Sequence, residues 1–312
     1  MAIVKDTYID YLNVEKNEIK NLPSGISIST MCATCKLNTK LDITNIQKYL
    51  KLDKDSILTV KMNNDDIRTL VPKKKEKKRI KVVDPTVKVK DTSKNHFYNQ
   101  ITVVVRTNED TKENTVKDLN DAPKINMKLF KNGSVQMSGC KSLKNINIAL
   151  NKLIIKLKEV KAKFEDGRIV EKRYIEDHES ITVRDFKINM INSNYEVNMQ
   201  IDREKLYNLL TKKKIKSSYE PCIRACVIIK YAPIEKNIEN KEVSVFVFQK
   251  GNIIITGARN RSHIISAYDY MNKILLDHTD EIIKKNEKNE ESIIMNIYKD
   301  IMKEVDIGLI KI

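Results

Sequence analysis

Two short stretches of this sequence carry the same residue types in the same order. In each, a phenylalanine, a glycine, a hydroxyl residue, a second glycine and a basic residue follow one another, and each residue of one stretch lies 118 positions from its partner in the other. The pairs are Phe130/Phe248, Gly133/Gly251, Ser138/Thr256, Gly139/Gly257 and Lys141/Arg259. Aromatic, hydroxyl and cationic groups offer non-covalent contacts. The pattern therefore indicates a binding surface that is built twice.

The charge of the chain indicates what such a surface would bind. Lys and Arg number 58 and Asp and Glu 42 in 312 residues, which gives a net charge of +16. A positive field of this size favours a polyanionic partner, either nucleic acid or an anionic membrane surface. A surface that is merely rich in lysine is the alternative.

Signatures of catalysis or metal binding are missing from the sequence. There is no HExxH, GxGxxG, P-loop or GxSxG pattern, and the four histidines have no catalytic spacing. Cys32 and Cys35 resemble half of a zinc site, but their odd spacing in a strand-like run points them to opposite faces. We therefore predict structural thiols, no metal, no cofactor and no enzymatic activity.

The elements around the repeated residues also recur. Each glycine turn precedes an apolar pattern of helical spacing, with Ser142 as the predicted N-cap of one helix and Asn260 or Ser262 of the other. Upstream, residues 26–50 match residues 186–210 at a separation of 160, and both read as a strand followed by a helix capped by an aspartate. Two copies of a mainly antiparallel sheet with helices on one face predict an α+β pseudo-dimer.

The separation of matched residues falls along the chain, and this locates an insertion. Arg106 and Lys230 correspond at a separation of 124, so the first copy has about 36 extra residues before this strand. Residues 72–90 contain nine basic and two acidic residues; we expect a solvated loop there or one that follows phosphates. The predicted parts are an N-terminal arm (1–25), a first repeat (26–158) with a basic insertion (51–97), a connector with a hairpin (159–185), a second repeat (186–278) and a C-terminal helical extension (279–312).

Several motifs resemble the TATA-box-binding protein family. "DFKINMINSNYEV", "SSYEPCIRACVIIKY" and "VFVFQKGNIIITGAR" are similar to successive segments of the family's second repeat. "TKLDI", "VVVRT" and "LFKNGSVQMSGCK" resemble its first repeat more weakly. The resemblance implies a saddle: a pseudo-two-fold repeat of a curved antiparallel sheet with helices on the convex face. The concave face would lie in the DNA minor groove.

The resemblance also implies roles for individual residues. Phe130 and Phe248 would be one wedge of each half, although a phenylalanine in a strand can equally be core. Groove contacts would come from Phe246, Ile254, Thr256 and Ser138, and phosphate contacts from Arg106, Lys141, Lys230 and Arg259.

Other family positions carry different residues here. The second wedge of each half falls at Gln100 and at Arg224, while Phe97 and Tyr98 are out of register. A central asparagine pair becomes Thr30 and Met190, groove-floor valines become Cys32, Asn192 and Gln136, and two phosphate lysines become Ser134 and Asn252. We therefore expect minor-groove binding with altered or relaxed sequence preference.

The resemblance suggests partners and a role. Tyr219, Glu220 and Pro221 match the loop that in the family docks a transcription factor IIB. We expect a general initiation factor, monomeric as a pseudo-dimer, that bends A·T-rich promoter DNA and recruits a TFIIB-like factor and RNA polymerase. A scaffold with weak DNA binding is the alternative. Since no apolar run could form a membrane span or signal peptide, we expect no membrane association and an intracellular location. The composition suggests a large DNA virus or an AT-rich protist, and hence the nucleus, a cytoplasmic virus factory or the virion.

Overall fold

The structure is a computed structural model, and it describes residues 8–62, 66–72, 99–108, 119–165, 168–177, 181–233, 241–284, 295, 297–299 and 302. The chain forms two compact units, which comprise residues 1–194 with 255–265 and residues 195–254 with 266–312. The basic run predicted at 72–90, apart from Pro72, lies outside the described residues, as do Phe97, Tyr98 and most of the C-terminal extension.

The first unit is built on an antiparallel sheet. Its strands lie in the order β13-β9-β1-β6-β5-β4-β2-β3, and β13 contributes its last residues to this unit. The bounds are β1 (Ser27–Leu37), β2 (Ile57–Lys61), β3 (Ile67–Thr69), β4 (Gln100–Arg106), β5 (Lys124–Phe130), β6 (Ser134–Cys140), β9 (Val183–Glu196) and β13 (Asn252–Ala258). The helices are α1 (Val14–Asn17), α2 (Ile43–Tyr49) and α3 (Leu143–Lys158), and β7 (Lys161–Glu165) pairs with β8 (Arg168–Lys172) in a separate hairpin.

The core of the first unit lies between this sheet and helices α2 and α3. Alternate residues along each strand are buried, as in β5, where Ile125, Met127 and Leu129 are at most 1% exposed. The helix α3 begins at its predicted cap, because the Ser142 hydroxyl accepts a hydrogen bond from the Asn145 amide. In the same way the Asp42 carboxylate caps α2. One face of each strand is thus covered, and the other is open.

The N-terminal arm contacts the outer side of α3. The amides of Ile9 and Tyr11 donate to the side-chain oxygens of Asn151 and Asn147, at 2.9 and 3.1 Å. The Glu18 carboxylate accepts bonds from the first backbone amides of α3. A carboxylate there is favourable because it satisfies helix N–H groups that have no partner within the helix.

The second unit repeats part of this arrangement. Its strands lie in the order β10-β11-β12-β13, and helix α4 packs against β10 and β11. The bounds are α4 (Arg203–Lys212), β10 (Ser217–Ser218), β11 (Cys226–Tyr231), β12 (Val243–Phe248), α5 (Arg261–Asp277) and α6 (Thr279–Ile282). Asp202 caps α4 through two backbone amides, as Asp42 caps α2.

Matched glycines hold the two copies in the same local geometry. Gly133 and Gly251 have φ of +83° and +87°. A Cβ would lie 2.6 Å from the Leu37 carbonyl oxygen at Gly133, and 2.7 Å from the Met199 carbonyl oxygen at Gly251. Each glycine carbonyl in turn accepts a backbone bond, from Leu37 at 2.9 Å and from Val197 at 3.0 Å. Only glycine fits such a position, so the recurrence of both turns has a steric cause.

Part of the predicted insertion is structured. Within residues 51–97, β2 pairs with β4, and β3 pairs with β2. The prediction of an α+β fold with a large antiparallel sheet and several helices is confirmed.

Candidate nucleic-acid interface

The open side of the first-unit sheet presents a row of polar residues on each strand. Because strand residues alternate between faces, the residues that interleave with the core point away from the helices. We call this set the first-repeat face: Cys32 and Thr34 of β1, Gln100, Thr102 and Val104 of β4, Asn126, Lys128 and Phe130 of β5, and Ser134, Gln136 and Ser138 of β6.

Strand register brings these side chains together. Gln136 lies opposite Thr34 on one neighbouring strand and opposite Lys128 on the other. Lys128 in turn lies opposite Thr102. Residues directly opposite on antiparallel strands have Cβ atoms about 5 Å apart, so Gln136 and Lys128 are neighbours at the centre of the face.

A second row of the same face runs beside the first. Ser138 lies opposite Cys32 and opposite Asn126. Asn126, Lys128 and Gln136 are exposed, and within the described part of the chain their side chains have no hydrogen-bond partner. Their polar groups are therefore available to a ligand.

Three more of the predicted groove residues meet at the β9 side of this unit. Thr30 lies opposite Asn192 in the β1–β9 pairing. The Thr256 hydroxyl donates to the Asn192 side-chain oxygen at 2.5 Å and lies 3.8 Å from the Met190 sulfur. Here the residues that replace the family's asparagine and valine positions form a small polar cluster of their own.

The open side of the second unit is apolar at its centre, whereas Ser244 and Asn252 lie on the same side near the ends of β12 and β13. We call Cys226, Ile228, Phe246, Phe248 and Ile254 the second-repeat face. Phe246 and Phe248 lie on one side of β12 and are partly exposed, whereas Val243, Val245 and Val247 on the other side are fully buried. Ile228 lies opposite Phe246 and Cys226 opposite Phe248.

Strand pairing differs by two residues between the two copies. Phe130 lies opposite Gln100, the residue predicted as its partner wedge position. Phe248 lies opposite Cys226, and Arg224 is exposed in the turn before β11. The guanidinium of Arg224 therefore has no place beside Phe248 on the sheet.

The predicted phosphate-binding cations are in contrasting environments. The Arg106 side chain is 9% exposed; its guanidinium contacts the Asp55 carboxylate and donates to the Lys54 carbonyl, both at 3.1 Å. The Lys230 side chain is 40% exposed, donates to the Ser244 hydroxyl at 2.8 Å and lies 3.7 Å from Glu242. Arg106 would have to leave Asp55 to reach a phosphate, whereas Lys230 is accessible as it stands.

The other two cations lie where the long helices begin. Lys141 is exposed one residue before the cap of α3, and Arg259 occupies the equivalent position before α5. The Arg259 amide donates to the His263 ring nitrogen, and the Asn260 side chain accepts from the His263 amide. The His263 side chain is buried, so α5 starts on a fixed hydrogen-bonded turn.

The cysteines have no arrangement that would bind a metal. No cluster of potential metal ligands is present among the described residues, and Cys35 and Cys140 are buried free thiols. Burial raises the pKa of both thiols to about 12, so they are protonated at neutral pH. A protonated thiol is neither a nucleophile nor a metal ligand.

Comparison with known proteins shows which family the sequence resembles. Residues 185–278 match the family model described as transcription factor TFIID, or TATA-binding protein (TBP). A mimivirus (Acanthamoeba polyphaga mimivirus) protein described as TATA-box-binding protein-like is 36% identical over 267 residues. The match covers 80% of this chain and 65% of the relative. The chain is thus similar in sequence to members of the TBP family.

The chain spans about two thirds (65%) of the length of the mimivirus relative. Among solved structures, Methanococcus jannaschii TBP matches with a TM-score of 0.46 and 16% identity, over 81% of this chain and 98% of that one. The TBP family is one of non-enzymatic DNA-binding transcription factors, in agreement with the prediction that the chain is not an enzyme.

The loop predicted to dock a partner is exposed, apart from the half-buried Tyr219. Tyr219 lies 6.2 Å from the Tyr207 ring between ring centroids, and the Arg203 guanidinium lies 5.6 Å from the Tyr219 ring. Glu220 and Pro221 follow it on the surface, and Ile223 is 74% exposed. The aromatic ring is thus held in place, while the residues after it are available for contact.

Sequence reasoning missed several residues of the two faces. Asn126, Lys128 and Thr102 are central to the first-repeat face, and Cys226 and Ile228 to the second. The alternation of β5, in which Asn126, Lys128 and Phe130 share parity, was the signal that could have found the first two. The motifs that resemble the TBP family indicated only the positions that match them.

Proposed function

We propose that this protein is a transcription initiation factor that binds the minor groove of A·T-rich promoter DNA. The observation that carries the proposal is the matched placement of Phe130 and Phe248. Each is the last residue of its strand, is only partly buried, and is followed by the same glycine turn. Insertion of apolar wedges between base steps is the known mode of the TATA-binding protein itself.

The chemistry of the surfaces supports this mode. The minor groove of A·T pairs offers acceptors and no protruding amine, so the apolar second-repeat face can pack against it. Lys141, Lys230 and Arg259, with Arg106 if it is released from Asp55, would neutralise phosphates and position the duplex. Kinking at the wedges would bend the DNA, and pyrimidine–purine steps would be the easiest to deform.

The partners follow from the exposed loop. Tyr219, Glu220 and Pro221 would contact a TFIIB-like factor, which would bring RNA polymerase to the promoter. One chain carries both repeats, so we propose that a monomer acts as a pseudo-dimer. In the described residues no helix is long and apolar enough to cross a membrane. The mimivirus relative supports a large DNA virus as the source, and hence a nucleus, virus factory or virion as the location.

A second candidate function rests on the polar character of the first-repeat face. Gln136 and Lys128 occupy its centre, and Gln100 lies where an aromatic wedge is expected. A polar face gains less binding free energy than an apolar one when it packs against a groove floor. This favours a scaffold that binds DNA weakly and acts through proteins.

One experiment separates the two functions. Binding to A·T-rich and G·C-rich duplexes is measured by fluorescence anisotropy over a salt series for the wild type, Phe130→Ala/Phe248→Ala, and Phe164→Ala as control. Phe164 is 74% exposed on the β7–β8 hairpin, away from both faces. Loss of at least about tenfold in A·T affinity is expected for the double variant only. No A·T preference in the wild type, together with equal binding by the double variant, would favour the scaffold.

A further inference from the structure

We infer that the first-repeat face accepts G·C pairs, whereas the second-repeat face excludes them. This inference rests on the proposed function, since it concerns how the same surface reads the minor groove. It assigns a specificity role to Gln136. The juxtaposition that carries it is Gln136 beside Lys128, at positions where the second-repeat face has Ile254 and Phe246.

The minor groove distinguishes the two kinds of base pair by a single group. A·T and T·A pairs present only acceptors, adenine N3 and thymine O2, whereas G·C pairs add the N2 amine of guanine, which is a donor. A protein surface without acceptors leaves this amine desolvated and unpaired. A buried unsatisfied donor weakens binding by about tenfold, which is enough to exclude G·C.

The first-repeat face presents hydrogen-bond acceptors for this amine. The amide oxygens of Gln136 and Asn126 and the hydroxyl of Ser138 can each accept a bond from N2. Gln136 and Asn126 are exposed, and among the described residues their side chains bond to no other group. Amides can also donate to adenine N3 or thymine O2, so the same residues serve A·T pairs.

The lysine at the centre of the first-repeat face also distinguishes it from the second-repeat face. Lys128 lies between Gln136 and Thr102 and is exposed. Its ammonium has three donors and no acceptor, so it can bond to the N3 and O2 atoms that every base pair presents in this groove. It therefore strengthens binding to any sequence and does not penalise G·C.

The centre of the second-repeat face lacks such groups, and the polar residues on the same side, Ser244 and Asn252, lie near the ends of their strands. At the positions that match Lys128 and Gln136 by the 118-residue separation it has Phe246 and Ile254, and Ile228 lies opposite Phe246. Apolar side chains cannot accept a bond from the guanine amine. A half-site on the second-repeat face would thus be restricted to A·T pairs, and a half-site on the first-repeat face would not.

Inosine offers a direct test. An I·C pair has the minor groove of an A·T pair, because it lacks the N2 amine, and it differs from G·C by that amine alone. Three pairs of duplexes are compared by anisotropy, with I·C or G·C at several adjacent positions in one half, in the other half, or in both halves of an A·T site.

The expected pattern is non-additive, because the protein can bind a two-fold site in either orientation. G·C in a single half, whichever half it is, should cost less than about threefold, since the first-repeat face can be placed on it. G·C in both halves should cost about tenfold or more, the scale of one base-pair mismatch. Equal large costs for each single half would overturn the inference, as would a negligible cost for both halves.

Matched variants tie the effect to single residues. Gln136→Ile should make G·C in one half cost about tenfold, and Gln136→Asn should restore tolerance. Ile254→Gln should make G·C in both halves tolerated. Thermal unfolding confirms that each variant is folded. A G·C cost that is unchanged in Gln136→Ile overturns the assignment, while an absence of A·T preference in all duplexes overturns the proposed function itself.

Discussion

The first-repeat face and the second-repeat face are framed by the same glycine turn but differ in the side chains they present. Gly133 and Gly251 have nearly equal φ and the same close approach to a neighbouring backbone. On the open side of the sheet, however, Lys128 and Gln136 occupy the positions at which the other copy has Phe246 and Ile254. Backbone contacts fix a residue type in both copies, whereas side chains on an open face are restrained only by their ligand.

The difference shows which part of a repeat can diverge. A Cβ at either glycine would collide with a carbonyl oxygen, so substitution there affects folding. A polar residue at the position of Lys128 touches no core residue, and its cost or benefit appears only when something is bound. The comparison of the two faces therefore separates positions required by the fold from positions required by recognition.

The largest effect is expected on stability, when the glycine of one turn is replaced. Gly251→Ala should lower the free energy of unfolding by about 3 kcal/mol or more, from positive φ together with the clash with Met199. Gly133→Ala should cost a similar amount. Gly25→Ala is the matched control, because its φ is +88° but no atom lies within 4 Å of the added Cβ; it should cost about 1 kcal/mol. Urea denaturation measures all three, and equal losses would show that the close approach is unimportant.

The second-largest effect is expected on DNA binding, when the central residues of the two faces are exchanged. Phe246→Lys should lower the preference for A·T over G·C several-fold, because an apolar side chain is replaced by an ammonium that can bond to the acceptors of every base pair. Lys128→Phe should sharpen the preference for A·T over G·C by making the first-repeat face resemble the second. Anisotropy titrations measure both affinities, with melting temperatures as the folding control. Unchanged affinity in both variants would mean that these faces do not contact DNA.

The paired cations give a smaller and more specific contrast. Arg106→Ala should lower the free energy of unfolding by about 1 kcal/mol, because the bonds to Asp55 and the Lys54 carbonyl are lost. Lys230→Ala should leave stability nearly unchanged, since its contacts are exposed. It should also reduce the slope of log affinity against log salt by about 1, the effect of one phosphate contact. A reduced slope for Arg106→Ala but not for Lys230→Ala would reverse the roles proposed for the two residues.

Local signals in the sequence were sufficient for much of the fold. The caps Ser142, Asp42 and Asp202 and the helices after them are where their patterns predict, because a cap and an apolar stripe act over a few residues. The repeat extended these local signals to an antiparallel α+β arrangement. The predicted wedge and phosphate residues stay predictions, although the structure shows how each is placed.

The remaining features depend on contacts between distant segments. The guanidinium of Arg106 is held by the Asp55 carboxylate and the Lys54 carbonyl, and both residues belong to the predicted insertion, 51–97. The pairing register of β11 with β12 is shifted by two residues relative to that of β4 with β5, so Cys226 lies opposite Phe248. Matching by a fixed separation aligns each strand with its copy, but it carries no information on how that strand pairs with its neighbour.

The smallest expected effect concerns the acid beside Lys230. The bond from Lys216, at 2.8 Å, lowers the pKa of the Glu242 carboxyl, and the nearby Lys230 ammonium adds to this. A carboxyl whose pKa is depressed in the folded state contributes stability above its unfolded pKa and loses it as pH falls through the folded value. Glu242 is on the surface, so this contribution to folding is small. In Lys216→Ala its pKa should rise towards the ordinary value, as NMR titration of the carboxyl would show.

Lys230 should bind phosphate more readily in acid, once Glu242 is protonated, and salt-dependent affinity in wild type and Glu242→Gln would measure this. An identical pH dependence of DNA affinity in the two proteins would show that Glu242 does not restrain Lys230, and the contrast with the Asp55-bound Arg106 would then be one of burial alone.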